Sequence, residues 1–173
     1  MGAFIFGRLV TEGVLNIMHI RSFEIEDIAQ IVDLFFDTVH TVNAKDYTAA
    51  QLQAWAPDDE QEEKLALWAE SLSQHMTYVA IRDGELVGFS DMDAGGYLDR
   101  LYVHNDVQKQ GVATALLSKL EQEARRLGLS EMRTDASITA VPFFERHGFC
   151  ILQAQTVQRR GVDLVNYKMS KRL

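Results

Sequence analysis

With 173 residues, 47% of them hydrophobic and 24% charged, the chain has the size and composition of one globular domain with a sizeable core, and two domains would be cramped. Seventeen basic against twenty-five acidic side chains give a formal net charge of −8, which argues against the basic face that broad nucleic-acid binding needs. A lone cysteine, Cys150, excludes an internal disulfide and any CxxC metal site, and it is expected to be a small buried apolar residue rather than a nucleophile.

Residues 1–17, MGAFIFGRLVTEGVLNI, have no basic n-region and no long apolar run, so they fail as a signal peptide or a membrane span. Phe6 stands where a myristoylation motif requires Ser or Thr. They read as an extension of uncertain status, either added structure or a misassigned start, ahead of a domain over residues 18–173. His19 to Phe23 predicts a short strand, and Ile28, Ile31, Val32, Phe35, Phe36 and Val39 recur at helical spacing. Val42 to Pro57 is polar and aromatic and reads as a loop, while Leu65, Trp68 and Leu72 mark a second helix over 62–72. Strands over 76–82 and 85–92 are joined by Asp83-Gly84, a two-residue hairpin signal. After a turn at Ala94-Gly95-Gly96 come a strand over 97–103 and a helix carrying Leu116, Leu117, Leu120, Ala124 and Leu127, stopped by Gly128. A strand over 131–136 and a short helix over 141–147 follow, with Pro142 in the first turn of that helix. Strands over 149–158 and 162–170, joined through Arg159, Arg160 and Gly161, complete the chain. No repeat or linker interrupts this order, which predicts an α+β domain with a mixed sheet of about seven strands and about four helices.

The stretch LYVHNDVQKQGVATALL, residues 101–117, reads as a strand, a polar loop tightened at Gly111, and a helix opening near Val112. Such a junction aims unpaired N–H groups and the positive end of a helix dipole at one small volume suited to a phosphate. Neither the P-loop nor the dinucleotide glycine pattern is present. What stands there, Gln108-x-x-Gly111-x-Ala113, resembles the acetyl-CoA pyrophosphate loop of the GNAT superfamily of N-acetyltransferases. Leu101, Tyr102, Val103 and His104 match the strand that precedes that loop, with Asn105 in place of a proline. Ala140, Phe143, Phe144, Gly148 and Phe149 answer a second family element, with Phe144 in its tyrosine position. The segment HTVNAKDYTAAQLQAWAP, residues 40–57, is similar to a YafP-like bacterial branch, and the resemblance spans residues 18–173.

The resemblance implies a GNAT fold splayed between its fourth and fifth strands, acetyl-CoA as co-substrate, no metal, and direct acetyl transfer to an amine in a ternary complex. It assigns Gln108, Lys109, Gln110, Gly111, Val112, Ala113 and Thr114 to the pyrophosphate, Leu101, Tyr102 and Val103 to the pantetheine, and Ala140, Phe143 and Phe144 to the thiol end. An amine of pKa about 10.4 is free base in only about one molecule in 2,500 at pH 7, so a proton acceptor is worth orders of magnitude. Asp99 is the candidate base, on one strand face with Tyr97 and Leu101 by period two, although it could instead pair with Arg100. Asp91 and Asp93 are alternatives that could equally be solvated turn residues. Phe144 has no hydroxyl to protonate the leaving thiolate, which leaves solvent or Tyr167, itself readable as a core residue. His40, Asn43, Tyr47, Trp55 and Asp91 are the candidate acceptor contacts, since aromatic faces attract cations. The bland alternatives are that Tyr47 and Trp55 lid the core and that His40 closes a helix C-terminus. The expected acceptor is a small-molecule or peptide amine, with no nucleic acid or membrane partner, a cytoplasmic location and a possible homodimer. Phe144 also keeps open a catalytically weak acyl-CoA-binding sensor or scaffold.

Overall fold

The computed structural model describes residues 18–173, so the question raised by residues 1–17 lies outside the described residues. Seven strands form one sheet: β1 (Met18–Ser22), β2 (Met76–Arg82), β3 (Glu85–Met92), β4 (Tyr97–Val103), β5 (Glu131–Ser137), β6 (Cys150–Arg159) and β7 (Val162–Arg172). Their order across the sheet is β1-β2-β3-β4-β5-β7-β6, antiparallel at every neighbouring pair except β4 and β5. Helices α1 (Ile28–Thr41), α2 (Ala49–Trp55) and α3 (Gln61–Gln74) pack on one face, and α4 (Val112–Arg126) and α5 (Val141–Arg146) on the other. The first face buries Ile31, Phe35, Val39, Leu52, Phe89 and Leu164, and the second buries Leu98, Leu117, Leu120, Met132, Phe144 and Met169. This is the α+β architecture with a mixed sheet that the pattern predicts.

Two readings need correction. Residues 49–55, expected to be loop, form α2, because Thr48 and Gln51 make a reciprocal capping box: the Thr48 hydroxyl accepts from the Gln51 N–H at 3.3 Å, and the Gln51 side chain accepts from the Thr48 N–H at 2.9 Å. A helix this short is held by its tertiary contacts. Leu52 is buried, the Tyr47 hydroxyl donates to the Val165 carbonyl at 2.9 Å, and Gln51 donates to the Asp163 carbonyl at 2.9 Å. Cys150, expected to be buried, is exposed, because β6 is an edge strand of the sheet and its first five residues all lie open.

The two-residue turns behave as their chemistry requires. Asp83-Gly84 takes φ of 53° and 84°, and Arg160-Gly161 takes 48° and 75°, the doubly left-handed pattern that matches strand twist in a tight hairpin.

The parallel contact of β4 with β5 is confined to two residue pairs, Tyr97 with Arg133 and Leu98 with Thr134. Around them the Arg133 N–H donates to the Gly96 carbonyl at 2.9 Å and the Thr134 hydroxyl to the Leu98 carbonyl at 2.9 Å. Beyond Leu98 the strands separate, which is the expected splay. Gly96 sits at this hinge point with φ of 85°, and a Cβ there would lie 2.8 Å from the Glu131 carbonyl oxygen. Left-handed backbone alone costs a residue with a Cβ about 1–2 kcal/mol, and the carbonyl contact adds to it. Gly96→Ala is therefore expected to lower the melting temperature by at least about 4 °C in a calorimetric scan. Gly111→Ala, whose Cβ would meet nothing within 4 Å, is expected to cost less.

Candidate active site

The β4–α4 junction exposes its backbone donors as the sequence implies. Lys109 and Gly111 have φ of 59° and 85°, so the chain curls into a concave turn before α4. The first bond of the helix runs from the Ala115 N–H to the Gly111 carbonyl, and no acceptor among the described residues meets the N–H groups of Lys109 to Thr114. Gln108 contributes through its side chain, which donates to the Val103 carbonyl at 2.6 Å and ties the loop to β4. On β4 the His104 N–H donates to the Val87 carbonyl on β3. By the period of two along that strand, the main-chain groups of Leu101 and Val103 point away from β3 and toward the split.

On the opposite face lies a cleft of about 210 Å³ whose wall includes Tyr47, Trp55, Tyr97, Asp99, Tyr102 and Asp135. Asp99 reaches it through a β-bulge. Asp91 on β3 pairs with Arg100 and Met92 with Leu98, so Asp99 is the extra residue of β4 and has no partner on β3. The bulge breaks the expected period: Leu101 packs toward α4, whereas Asp99 and Arg100 both turn to the α3 side. Enclosure raises the Asp99 pKa, and the neighbouring Arg100 opposes that rise. Burial, with Asp135 and Asp99 close by, pushes the Tyr97 phenol up to about 12. Tyr102 is raised further still, wedged in edge-on contact with Phe35 at 5.1 Å and stacked on Phe89 at 5.6 Å.

Behind Asp99 stands a buried charge array. Asp91 is fully buried and accepts from the Arg100 guanidinium at two points, 2.9 and 2.8 Å, and meets His75 Nδ1 at 2.6 Å. The same guanidinium nitrogen lies 3.0 Å from Asp99, and Arg100 also covers the Trp68 ring at 4.8 Å. His75, Asp91 and Asp99 offer donor atoms within 4.8 Å of one another, a spacing a metal could use, but the guanidinium already supplies the positive charge of this set.

The structure brings together Asp99, Tyr47 and Trp55 as expected, and adds Tyr97, Asp135, Arg159 and Asn166. It moves Tyr102 from the cofactor side to this cleft. Other expected contacts are taken up elsewhere. His40 Nε2 is engaged with the Ala56 carbonyl at 2.8 Å, Asn43 is buried in the turn after α1, and both oxygens of Asp91 are occupied as described. Asp93 caps its own turn, accepting from the Gly95 and Tyr97 N–H groups. On the α5 side Phe144 is core, packed edge-on against Phe143 and Phe149, whereas Ala140 and Phe143 are half-exposed. Tyr167 is half-buried on that side, opposite Ala136 of β5, and away from the cleft. The added residues gave no motif signal, because they meet only when β5, β6 and β7 assemble.

A mixed sheet split at its parallel pair, with a turn of unpaired N–H groups at the head of the split, defines an acetyltransferase of the GNAT class. A model of the Acetyltransferase (GNAT) domain matches residues 43–171. The uncharacterized N-acetyltransferase YafP of Escherichia coli (strain K12) is 36% identical over 155 residues, 90% of this chain and 96% of that protein. A GCN5-related N-acetyltransferase from Rhodopseudomonas palustris superposes with a TM-score of 0.83 at 34% identity, over 90% of this chain and 95% of that one. The fold is shared with yncA from Salmonella typhimurium, solved with its cofactor acetyl-CoA, at a TM-score of 0.67 and 23% identity, over 90% and 94% of the two chains. The chain belongs to the GNAT family of N-acetyltransferases. Among the described residues no helix is long and apolar enough to cross a membrane.

The Asp91 array makes stability depend on pH. The hydrogen bond that His75 donates to Asp91 raises the His75 pKa in the folded state. Its contribution is then complete below the unfolded value of about 6.5 and fades as pH rises through the folded value. Urea unfolding is expected to show this loss on the alkaline side of pH 6.5. Asp91→Asn should abolish the dependence and cost about 3 kcal/mol, the low end for a broken buried pair, because Arg100 keeps Ser71 and the more exposed Asp99.

Proposed function

We propose that this protein moves the acetyl group of acetyl-CoA to a primary amine by direct transfer in a ternary complex. The observation that carries the reading is the run of unpaired N–H groups from Lys109 to Thr114 at the head of the β4–β5 split. Those groups, with the α4 dipole behind them, fit a diphosphate, and the Leu101 main chain with the Val103 N–H fits the amides of a pantetheine arm, the Val103 carbonyl being taken by Gln108 and Thr38. Ala140 and Phe143 would wall its thiol end. Acetyl-CoA supplies the activated acyl carbon. Yet this chain decides what reaches it and in which protonation state.

Asp99 takes the proton of the acceptor ammonium, directly or through a water. The amine nitrogen then forms its bond to the acyl carbon as the carbon–sulfur bond breaks, the sulfur leaves with the bonding pair, and the nitrogen gives up its second proton to solvent. Tyr167 or solvent returns a proton to it. Tyr167 lies on the loop side of the sheet, and its hydroxyl has no hydrogen-bond partner among the described residues. A thiolate of pKa about 8.5 leaves readily, so a missing acid slows turnover without abolishing it. The buried Phe144 favours a second reading, an acyl-CoA-binding sensor without turnover, which predicts acetyl-CoA binding and no thiol release with any amine. The acceptor is a small-molecule or peptide amine and the setting cytoplasmic. The open edge of β6, with Leu152 63% exposed, is where a second copy would pair.

Gly111→Asp is expected to weaken acetyl-CoA binding at least tenfold by calorimetry, since a carboxylate would face the diphosphate; unchanged affinity would remove the loop from the site. Asp99→Asn is expected to lower kcat/KM by about 10²–10⁴-fold while leaving acetyl-CoA affinity in place. In the native protein, kcat/KM should fall as pH drops through the raised Asp99 pKa, above the ordinary carboxylate value of about 3.9. A profile flat across that range would clear Asp99.

A further inference from the structure

Two polar groups in the acceptor cleft are not used by the fold. The Asn166 Oδ1 atom is buried and has no hydrogen-bond partner among the described residues. Asn166 lines the cleft beside Ser137, its pairing partner on β5, on the wall that also carries Asp99. Leaving a buried acceptor unmet is unfavourable, so its natural complement is an N–H brought by a ligand.

Arg159 is the second group. It lines the same cleft near its other end, where β6 turns into β7. The other charges on that wall have partners: Asp99 has Arg100 at 3.0 Å, and Asp135 has Lys168 at 3.6 Å. Arg159 has no carboxylate within ion-pair distance among the described residues, although its neighbour Arg160 is bound by Asp59 at 2.9 Å and Glu60 at 2.7 Å. The contrast matters because the chain is acidic overall, with twenty-five carboxylates available to pair an arginine. Arg159 is close enough to Tyr102 for its charge to act on that buried phenol. Between the two poles the wall is apolar, built by Trp55, Val157 and Leu164. Arg159 pairs with Val162 on β7, four residues before Asn166, which is about 13 Å at the level of the backbone.

We infer that the acceptor is an amine carrying an anionic group several bonds from the reacting nitrogen, with Asn166 Oδ1 accepting an N–H of the amine and Arg159 binding the carboxylate or phosphate at the far end. This rests on the acetyl-transfer reading above. Aromatic and aliphatic walls then hold the connecting chain, and the two polar ends set its length and direction.

The test uses the full chain, acetyl-CoA and three length-matched amines: δ-aminovalerate, its carboxamide, and an aminobutyl phosphate. Thiol release is followed for the native protein and for Arg159→Gln, an exposed position where folding is secure, and acetyl-CoA binding is checked for both. The native protein is expected to favour the anionic amines over the carboxamide by about 10- to 100-fold in kcat/KM, the range of a hydrogen-bonded charge pair. In Arg159→Gln the ratio should fall to near one. Whichever anion is favoured identifies carboxylate or phosphate as the group read. Equal rates with all three amines, or a preference that survives Arg159→Gln, overturn the inference and leave acetyl transfer standing. If no amine releases thiol, the transfer reading fails, and calorimetric titration of the same amines into the coenzyme A complex decides the inference. Anion-selective binding lost in Arg159→Gln supports it, and indifference overturns it.

Discussion

Parallel strands β4 and β5 share only two residue pairs, and both the unpaired β4–α4 turn and the cleft lie around the point where they part. Backbone groups at an open strand edge need partners from somewhere, and here the fold leaves them facing a gap instead of a neighbouring strand. The gap persists because both sides are pinned elsewhere: β4 by five residue pairs with β3, and β5 by seven with β7. The hinge itself is fixed by Gly96, which no residue with a side chain replaces without moving the Glu131 carbonyl. The split is thus a rigid feature of the sheet. One end of it meets the N-terminus of α4 and the other face opens on the cleft.

The bulge in β4 is the second device. Without it, Asp99 would alternate with Arg100 and fall on opposite faces of the sheet. With it, a carboxylate and a guanidinium share one side, and Arg100 can hold Asp91 and Asp99 at once. Buried ion arrays of this kind contribute little net stability compared with apolar packing, because desolvation offsets attraction. What this one provides is geometry. The Arg100 fork is locked by Asp91, Ser71 and the Trp68 face, so the position of Asp99 at the cleft is inherited from residues that never touch a substrate.

Much of this was legible in the residues. The Gln108-x-x-Gly111-x-Ala113 pattern gave the turn of unpaired N–H groups ahead of α4, since a left-handed glycine before an apolar helix is a local signal. The order of elements along the chain followed from hairpin chemistry at Asp83-Gly84 and from strand and helix spacing, whereas the order across the sheet comes from the structure. The α2 helix was missed although Thr48 and Gln51 carry a capping signal, because the aromatic and polar content of that segment looked like a loop. Period two put Asp99 on one face with Tyr97 and Leu101: Tyr97 does share its cleft, but Leu101 does not, because the bulge between them is invisible to alternation. Asp91 looked like a turn residue from its place at a strand end, whereas its burial depends on α3 lying over it, a contact no local pattern encodes. Arg159 and Asn166 carried no motif because a lone arginine near a turn and an asparagine in a strand acquire meaning only from what lies across the sheet.

That difference has a physical origin. The proposed donor site is built from consecutive residues of one strand, loop and helix, and a change in it must respect a backbone conformation. The acceptor cleft draws on α2, β4, β5, β6 and β7, elements as far apart as Tyr47 and Asn166, and each contributes one or two side chains from an otherwise ordinary stretch. Its walls are joined by few bonds, chiefly Tyr47 to Val165 and Gln51 to Asp163. Side chains on such a wall can be exchanged one at a time without disturbing the loop or the hinge. A sequence of this family therefore announces what it takes the acyl group from more clearly than what it gives the group to, and the acceptor has to be sought in unpaired charge and unmet hydrogen-bond capacity across the assembled cleft.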